Sequence, residues 1–520
     1  MKPTMYFLMN SIELERGGLT RASLKQASFF AELGYDTYML TFNFNPKYPR
    51  IRKKLIEMNK VHKDVTILNM YEELEGNREP VLNDRRSKKV SIKDLTEGKA
   101  YDKREEYDAY RVYDNGLYTK YIALNKDGSL EFIDYFNENR YRTKRDTYDL
   151  WGNLKKVTYM DFPLNKPRQI IYYNNNGKAY LTQWNNPKNN KVQRLLLFNQ
   201  DSSIKKTFVN DDVTHKVDWL TEVINRTAND KCVVISDTRS TDEVLINFEH
   251  PKAATIWRLH SSHLDEPFEV DSPITKAVKD GIENVDKFNA AVFLTEEQKQ
   301  DVIRRIGNEA PYQVIPHYHE NNNGKSIKKL VSKTKKNTKL GVVVSRLSTL
   351  KRIDNIIKAF HITVEKVPDA QLEIWGTGDQ FETLEKLIID LKLEKNVFMK
   401  GYTHTPDDIY QKGIFSALTS KKEGFALSVM ESMYNKTPVI SYDIKYGPND
   451  MIVNNENGFI VENGNIEELS AKMTYMFENP QKTIEMGKNA NDYIENHFSK
   501  DIYKEKWLEV VDFALKNKFQ

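Results

Sequence analysis

Apolar positions along this chain change their period twice, and each change marks a change of architecture. MYFLM (5–9) is a continuous apolar run that predicts a buried strand, followed by a polar loop holding Gly17 and Gly18. Apolar positions from Leu19 to Leu33 then repeat at helical spacing and stop at Gly34, and DTYMLTF (36–42) predicts the next strand. Strand, loop, helix, strand is the opening of a doubly wound parallel sheet. From about 77 to 207 the helical period gives way to short Tyr-, Phe- and Ile-rich segments such as SLEFIDYF and KAYLTQW. Turn signals separate them: NG at 115–116, NKDG at 125–128, NENR at 137–140, WGN at 151–153 and NNNG at 174–177. Alternation bounded by such turns predicts antiparallel hairpins. Their uneven spacing marks an insertion, not a repeat.

The α/β alternation resumes near 208. DWLTEVINRTA predicts a helix, and CVVIS, ATIWRLH and AAVFLT (290–295) predict strands. NNNGKSIKKLVSKTKKN (321–337) is polar, basic and Gly-containing, which predicts a connector. A second cycle starts at LGVVVSRL (340–347) and runs through a helix at 353–365, strand QLEIWG, a helix at 380–391 and strand NVFMKG. It continues with a helix at 406–411, strand SALTS, a helix from about 427 and strand PVISY, and the amphipathic stretch YKEKWLEVVDFALK closes the chain. The expected organisation is an N-terminal Rossmann-like domain from 1–76 and 208–325, split by a β-rich insertion at 77–207. A C-terminal Rossmann-like domain at 326–505 and a terminal helix at 506–520 complete it.

Composition adds limits. The 520 residues are 39% hydrophobic and 11% aromatic, enough for globular cores, and 28 Tyr and 24 Phe against 6 Trp fit a β-rich segment. The single cysteine, Cys232, excludes an intramolecular disulfide and a cysteine-based zinc site, and its place in KCVVIS predicts a small buried residue more than a nucleophile. MKPTMYFLMN is too short an apolar run to direct export, and no run of about 20 apolar residues offers a membrane span. The expected location is the cytoplasm, with at most peripheral contact at the inner face of the membrane. A net charge of +4 from 78 basic and 74 acidic residues decides nothing, but RKK (52–54), RRSKK (85–89) and SKTKK (332–336) are local basic clusters. Such clusters are usually solvated loop surface; a minority attract polyanions.

The candidate chemistry lies in the C-terminal half. Arg346 ends a predicted strand and Lys351 precedes a helix in SRLSTLKRID. Two cations at the carboxyl edge of a parallel sheet suit a diphosphate, whose charge grows as it leaves. Glu423 and Glu431 in KKEGFALSVMESM are eight residues apart, and the N–H groups from Ala426 to Ser428 at the start of a helix suit a phosphate. Each feature alone reads as surface; the four residues in this order form a pattern. No two Asp are separated by a single residue, so a D-x-D metal site is absent from the sequence, and His317 and His319 in IPHYHE lack a nearby carboxylate beyond Glu320.

This combination resembles the retaining GT-B glycosyltransferases of family 4, with their E-x7-E signature. GTGD (376–379) and KGYT (400–403) fall where that family places donor loops, and Gly17-Gly18 resembles its glycine pair beside the donor phosphates. ERGGLTRAS, VSRLSTLKRIDNII, VFMKGYTHTP, EGFALSVMESM and SYDIKYGPND look like the wall teichoic acid glycosyltransferases within it, a subgroup that interrupts its first domain with a β-rich insertion. The resemblance implies an α/β fold of GT-B type and no metal or other cofactor. It implies transfer of glucose or N-acetylglucosamine from UDP-glucose or UDP-N-acetylglucosamine to a polyanionic glycerol- or ribitol-phosphate polymer, by a homotrimer joined through the insertion and without nucleic acid. It implies that Arg346 and Lys351 grip the diphosphate, that Glu431 and Ser428 hold the nucleotide, and that Glu423 faces the transferred hexose. His260 matches the family histidine near the reacting sugar, with His263 a less favoured substitute, and Tyr402 falls beside the uracil. Double-displacement chemistry needs carboxyl groups about 5 Å apart, whereas eight helical residues span about 12 Å, so front-face attack is favoured over a covalent route through Glu423. Rival readings are a protein O-glycosyltransferase, a sugar-nucleotide epimerase and a non-catalytic subunit.

Overall fold

A computed structural model describes residues 2–14, 18–82, 86–319 and 335–520. They form two compact units that divide between Thr255 and Ile256. In the first unit, strand Thr4–Met9 pairs in parallel with Thr37–Thr41 on one side and Cys232–Ser236 on the other, and Thr37–Thr41 pairs with Val65–Asn69. Every residue of Thr4–Met9 is buried, so both faces of the strand are covered and its run Met5–Met9 is apolar without alternation. Cys232 opens its strand in full burial, which pushes the thiol up to about 12 and makes it a packing residue. Helix Gly18–Glu32 matches the expected one; Gly17 lies outside the described residues.

The predicted β-rich insertion is an antiparallel meander of ten described strands, from Ala100–Lys103 to Ile204–Val209, each paired with its neighbours in sequence. Asn115 and Gly116 both take positive φ, 46° and 84°, the two-residue turn that matches the twist of the flanking strands. Buried positions are sparse in its strands, and the first, Ala100–Lys103, is exposed along its whole length. Within the same unit Tyr172 stacks its ring 4.9 Å from that of Tyr71, which follows strand Val65–Asn69, and Lys155 pairs with Glu75 in a buried ion pair. These contacts fix the meander to the helix Met70–Glu75.

The second unit begins within strand Ala253–Arg258, which continues in parallel to Ala290–Phe293 and Tyr312–Val314. Helix Glu296–Ile306, missed in the periodicity, links the last two, and its N-cap Thr295 accepts the Gln298 N–H at 3.1 Å. The C-terminal sheet has six parallel strands in the order Val397–Gly401, Gln371–Trp375, Asn337–Val344, Gly413–Leu418, Val439–Tyr442, Gly458–Val461. Chain order runs outward in both directions from the central pair, Asn337–Val344 and Gly413–Leu418, so the switch point lies between them. The strand expected at SALTS (416–420) ends at Leu418, and Thr419 and Ser420 turn out of the sheet into the loop. The terminal helix is longer than its apolar stripe suggested, Lys500–Phe519, and places Trp507 against the Arg258 guanidinium, 5.2 Å from the ring centroid.

Candidate active site

Both loops that leave the central strand pair converge at the switch point. After Asn337–Val344 the chain passes Ser345 and Arg346 and makes a single helical turn at Thr349–Lys351. After Gly413–Leu418, the Thr419 hydroxyl donates to the carbonyls of Lys351 and Arg352 at 3.0 and 2.9 Å. Arg352 returns the contact through Nε and Nη2 to the carbonyls of Thr419 and Ser420 at 2.7 and 2.8 Å. This reciprocal lacing holds the Lys351 loop and the Glu423 loop as one piece, and sequence reasoning had passed over Thr419, Ser420 and Arg352.

The lacing brings Lys351 and Glu423 together: Lys351 Nζ donates to Glu423 Oε1, and Ser420 Oγ donates to the same oxygen at 2.5 Å. Lys351, Ser420, Ser428 and Ser345 line one small pocket of about 10 Å³ at the carboxyl ends of the central strands, floored by core side chains such as Val343 and Val439. Arg346 shares the loop and is exposed. Helix Leu427–Tyr434 points its N-terminal turn, including Ser428, at this pocket after Ala426 takes a left-handed cap with φ 63°. Glu431 lies one turn in, as expected. Only Leu427 to Glu431 of the E-x7-E stretch is helical, so the span of about 12 Å for a continuous helix does not apply to Glu423 and Glu431.

Glycines set how closely the loops approach. A Cβ on Gly376 would lie 1.8 Å from the Ser345 carbonyl oxygen, and one on Gly378 would lie 2.0 Å from that of Leu347, so GTGD packs backbone to backbone against the Arg346 loop. Tyr402, in KGYT, is 64% exposed and meets His404 edge-on at 4.8 Å. On the far side His260 is half-buried, stacks on His317 at 5.3 Å, and His317 meets Phe425 edge-on at 5.6 Å. Burial holds His317 neutral, well below the usual imidazole range. His263 is wholly buried, stacks on Tyr446 at 5.8 Å, and burial lowers it to about 4. Of the two candidate histidines, His260 is the one brought to the Glu423 loop.

The basic clusters fare differently. Arg52 is buried, donating to the Ile67 carbonyl and pairing with Glu72, and Lys336 is half-buried with its ammonium on the oxygens of Gly413, Thr437 and Tyr410. Both are structural cations whose apolar surroundings were invisible in the charge pattern. Arg85 and Lys333 lie outside the described residues. His319 lies against Tyr434 and Asp407, and no group of three metal-ligating side chains occurs among the described residues.

Parallel α/β cycles interrupted by one large antiparallel meander are an architecture that this chain shares with glycosyltransferases of the GT-B fold. Residues 6–199 match the family described as Glycosyl transferase 1 domain A, and residues 325–493 match Glycosyl transferases group 1. The chain is similar to the poly(glycerol-phosphate) alpha-glucosyltransferase of Bacillus subtilis, 27% identical over 96% of this chain and 74% of that protein. It is equally similar to the poly(ribitol-phosphate) alpha-N-acetylglucosaminyltransferase of Staphylococcus aureus, 27% identical over 98% of this chain and 99% of that one. A crystal structure of an S. aureus TarM mutant with fondaparinux, alpha-GlcNAc-glycerol and UDP superposes with a TM-score of 0.78 at 25% identity, covering 98% of this chain and 99% of that chain. The pneumococcal O-GlcNAc transferase GtfA shares the fold at 18% identity, with a TM-score of 0.72 over 98% of this chain and 99% of that one.

Proposed function

We propose that this chain transfers glucose from UDP-glucose to hydroxyls of a poly(glycerol-phosphate) wall teichoic acid chain, with retention of anomeric configuration and without a metal. UDP-N-acetylglucosamine and poly(ribitol-phosphate) are the alternative donor and acceptor. The reading rests on one observation above others: Lys351 and Ser420, which line the pocket at the switch point beside the N-terminal turn of helix Leu427–Tyr434, both donate to Glu423. Full-length similarity to two polymer-modifying transferases supports the substrate class. Transfer breaks the bond between the sugar C1 and the β-phosphate oxygen and forms one from C1 to the acceptor oxygen on the same face. The acceptor proton passes to the departing phosphate. Lys351, Arg346 and the helix N-terminus offset the charge that grows on that phosphate. Glu423 orients the hexose, Glu431 takes the ribose, Tyr402 flanks the uracil and Gly17-Gly18 lets backbone approach the phosphates. His260 stands beside the reacting carbon.

The donor domain comprises 326–505, the acceptor domain 1–76 with 208–325, and the insertion 77–207 joins three copies. Three linked sites on one polymer raise avidity without requiring tight single sites. The protein works in the cytoplasm, at the inner face of the membrane where such a polymer is made. Proton NMR of the product tests the stereochemistry: an α-anomeric signal from the first turnover supports the reading, and a β-anomeric one overturns it. A protein acceptor is the second reading; labelling of a serine-rich protein in place of either polymer would establish it.

A further inference from the structure

Glu423 owes its place to more than its own loop. Its backbone N–H donates to the Lys445 carbonyl at 3.0 Å, and its carbonyl accepts the Tyr446 N–H at 2.9 Å. These two bonds fasten the residue on both sides to the segment 445–446. The side chains of the same two residues run the other way. Lys445 Nζ donates to Asp301 Oδ2 at 2.8 Å and to Glu297 at 2.7 Å, and the Tyr446 hydroxyl donates to that same Asp301 oxygen at 2.8 Å. Asp301 is fully buried in helix Glu296–Ile306, and its other oxygen accepts from Arg304 at 3.0 Å. Tyr446 is itself fully buried, with its ring covered by His263. The layers carry no slack: a Cβ on Gly447 would lie 2.2 Å from the Phe425 carbonyl oxygen, and one on Gly424 would lie 2.2 Å from that of His260.

We propose that Asp301 is a positioning residue for Glu423, acting through Lys445 and Tyr446. The inference rests on the reading of Glu423 as a donor-site carboxylate. One buried carboxylate receives both side chains, the two backbones carry Glu423, and the Glu423 side chain then meets Lys351 and Ser420. A shift of helix Glu296–Ile306 therefore reaches the reacting centre through four hydrogen bonds. Misplacement of a reacting group by about 1 Å costs on the order of 10²-fold in rate. A buried ion pair kept only for stability would leave the turnover of the folded enzyme untouched.

The test is a double-mutant cycle on the full-length protein, with Asp301→Asn and Glu423→Ala alone and together, and Tyr446→Phe as a second, volume-preserving probe should Asp301→Asn fold poorly. Turnover is normalised to folded protein, and UDP affinity is measured in parallel. Asp301→Asn should lower kcat by about 10²-fold with UDP affinity unchanged, Tyr446→Phe should lower it less, and neither change should add to the loss from Glu423→Ala. Unchanged kcat in both probes, or losses that multiply with that of Glu423→Ala, would overturn the inference while leaving Glu423 in its role. Full activity in Glu423→Ala alone would instead remove the reading beneath it, and the inference with it.

Discussion

Gly424 and His260 are packed so closely that a Cβ on the glycine would stand 2.2 Å from the histidine's carbonyl oxygen. The neighbour is backbone and cannot swing aside. Gly424→Ala must push either the Glu423 loop or the His260 turn away, and on the proposed mechanism both flank the sugar. The expected result is a fall in kcat of about 10²-fold, with UDP affinity, which depends on the Lys351 loop and the helix N-terminus, largely kept. Steady-state kinetics beside a UDP titration will check it.

Arg346 and Lys351 differ in what they hold before substrate arrives. Lys351 pairs with Glu423, while Arg346 is exposed. Removing either cation withdraws charge stabilisation from the leaving diphosphate, a loss of roughly 10²–10³-fold in kcat. Lys351→Ala also strips Glu423 of a partner, so its effect should exceed that of Arg346→Ala. Single-turnover rates at saturating donor make the comparison.

The positions of these candidate residues were legible because their signals are local: a cation after a strand, glutamates around a helix start and a glycine where chain meets chain. The strand–helix cycle and the hairpins were legible too, since Asn115-Gly116 and the apolar run Met5–Met9 each report one constraint. What escaped was everything set by tertiary partners. Thr419 and Ser420 read as strand because nothing local shows that their hydroxyls serve the Lys351 loop and Glu423. Arg52 and Lys336 read as surface cations because burial is settled by distant segments. Asp301 gave no signal, since its partners Lys445 and Tyr446 lie more than 140 residues away.

Two buried groups set opposite pH slopes on stability. His263 is lowered from 6.5 to about 4, chiefly by burial, so the unfolded chain binds the extra proton in that window and stability falls as pH drops through it. Asp450 is raised from 3.8 to about 7, by burial first and then by Glu297, so the folded state keeps a proton the unfolded chain gives up, and stability falls as pH rises through that window. His263→Gln should therefore flatten the acid limb, removing a contribution of about 3 kcal/mol. Asp450→Asn should stabilise at pH 8 and lose its advantage toward pH 4. Urea unfolding of the three proteins across this range will show whether the slopes separate.

The meander exposes large side chains, Tyr101 at 49%, Tyr141 at 48% and Phe162 at 47%, more than a sheet needs for its own packing. Joining of three copies through this segment predicts a single species of three times the chain mass in sedimentation velocity. Replacing these rings with Ser should shift it to the monomer, with transfer to long polymer reduced more than transfer to a short acceptor. A monomer at micromolar concentration in the parent protein would remove the trimer from the account.

The central claim is tested most directly by radiolabel transfer from UDP-glucose and UDP-N-acetylglucosamine, in EDTA, onto purified poly(glycerol-phosphate) and poly(ribitol-phosphate). The account predicts metal-independent transfer of glucose to poly(glycerol-phosphate), strongly reduced by Glu423→Ala. Donor hydrolysis with no transfer to either polymer would contradict it and move the acceptor to a protein or another glycan.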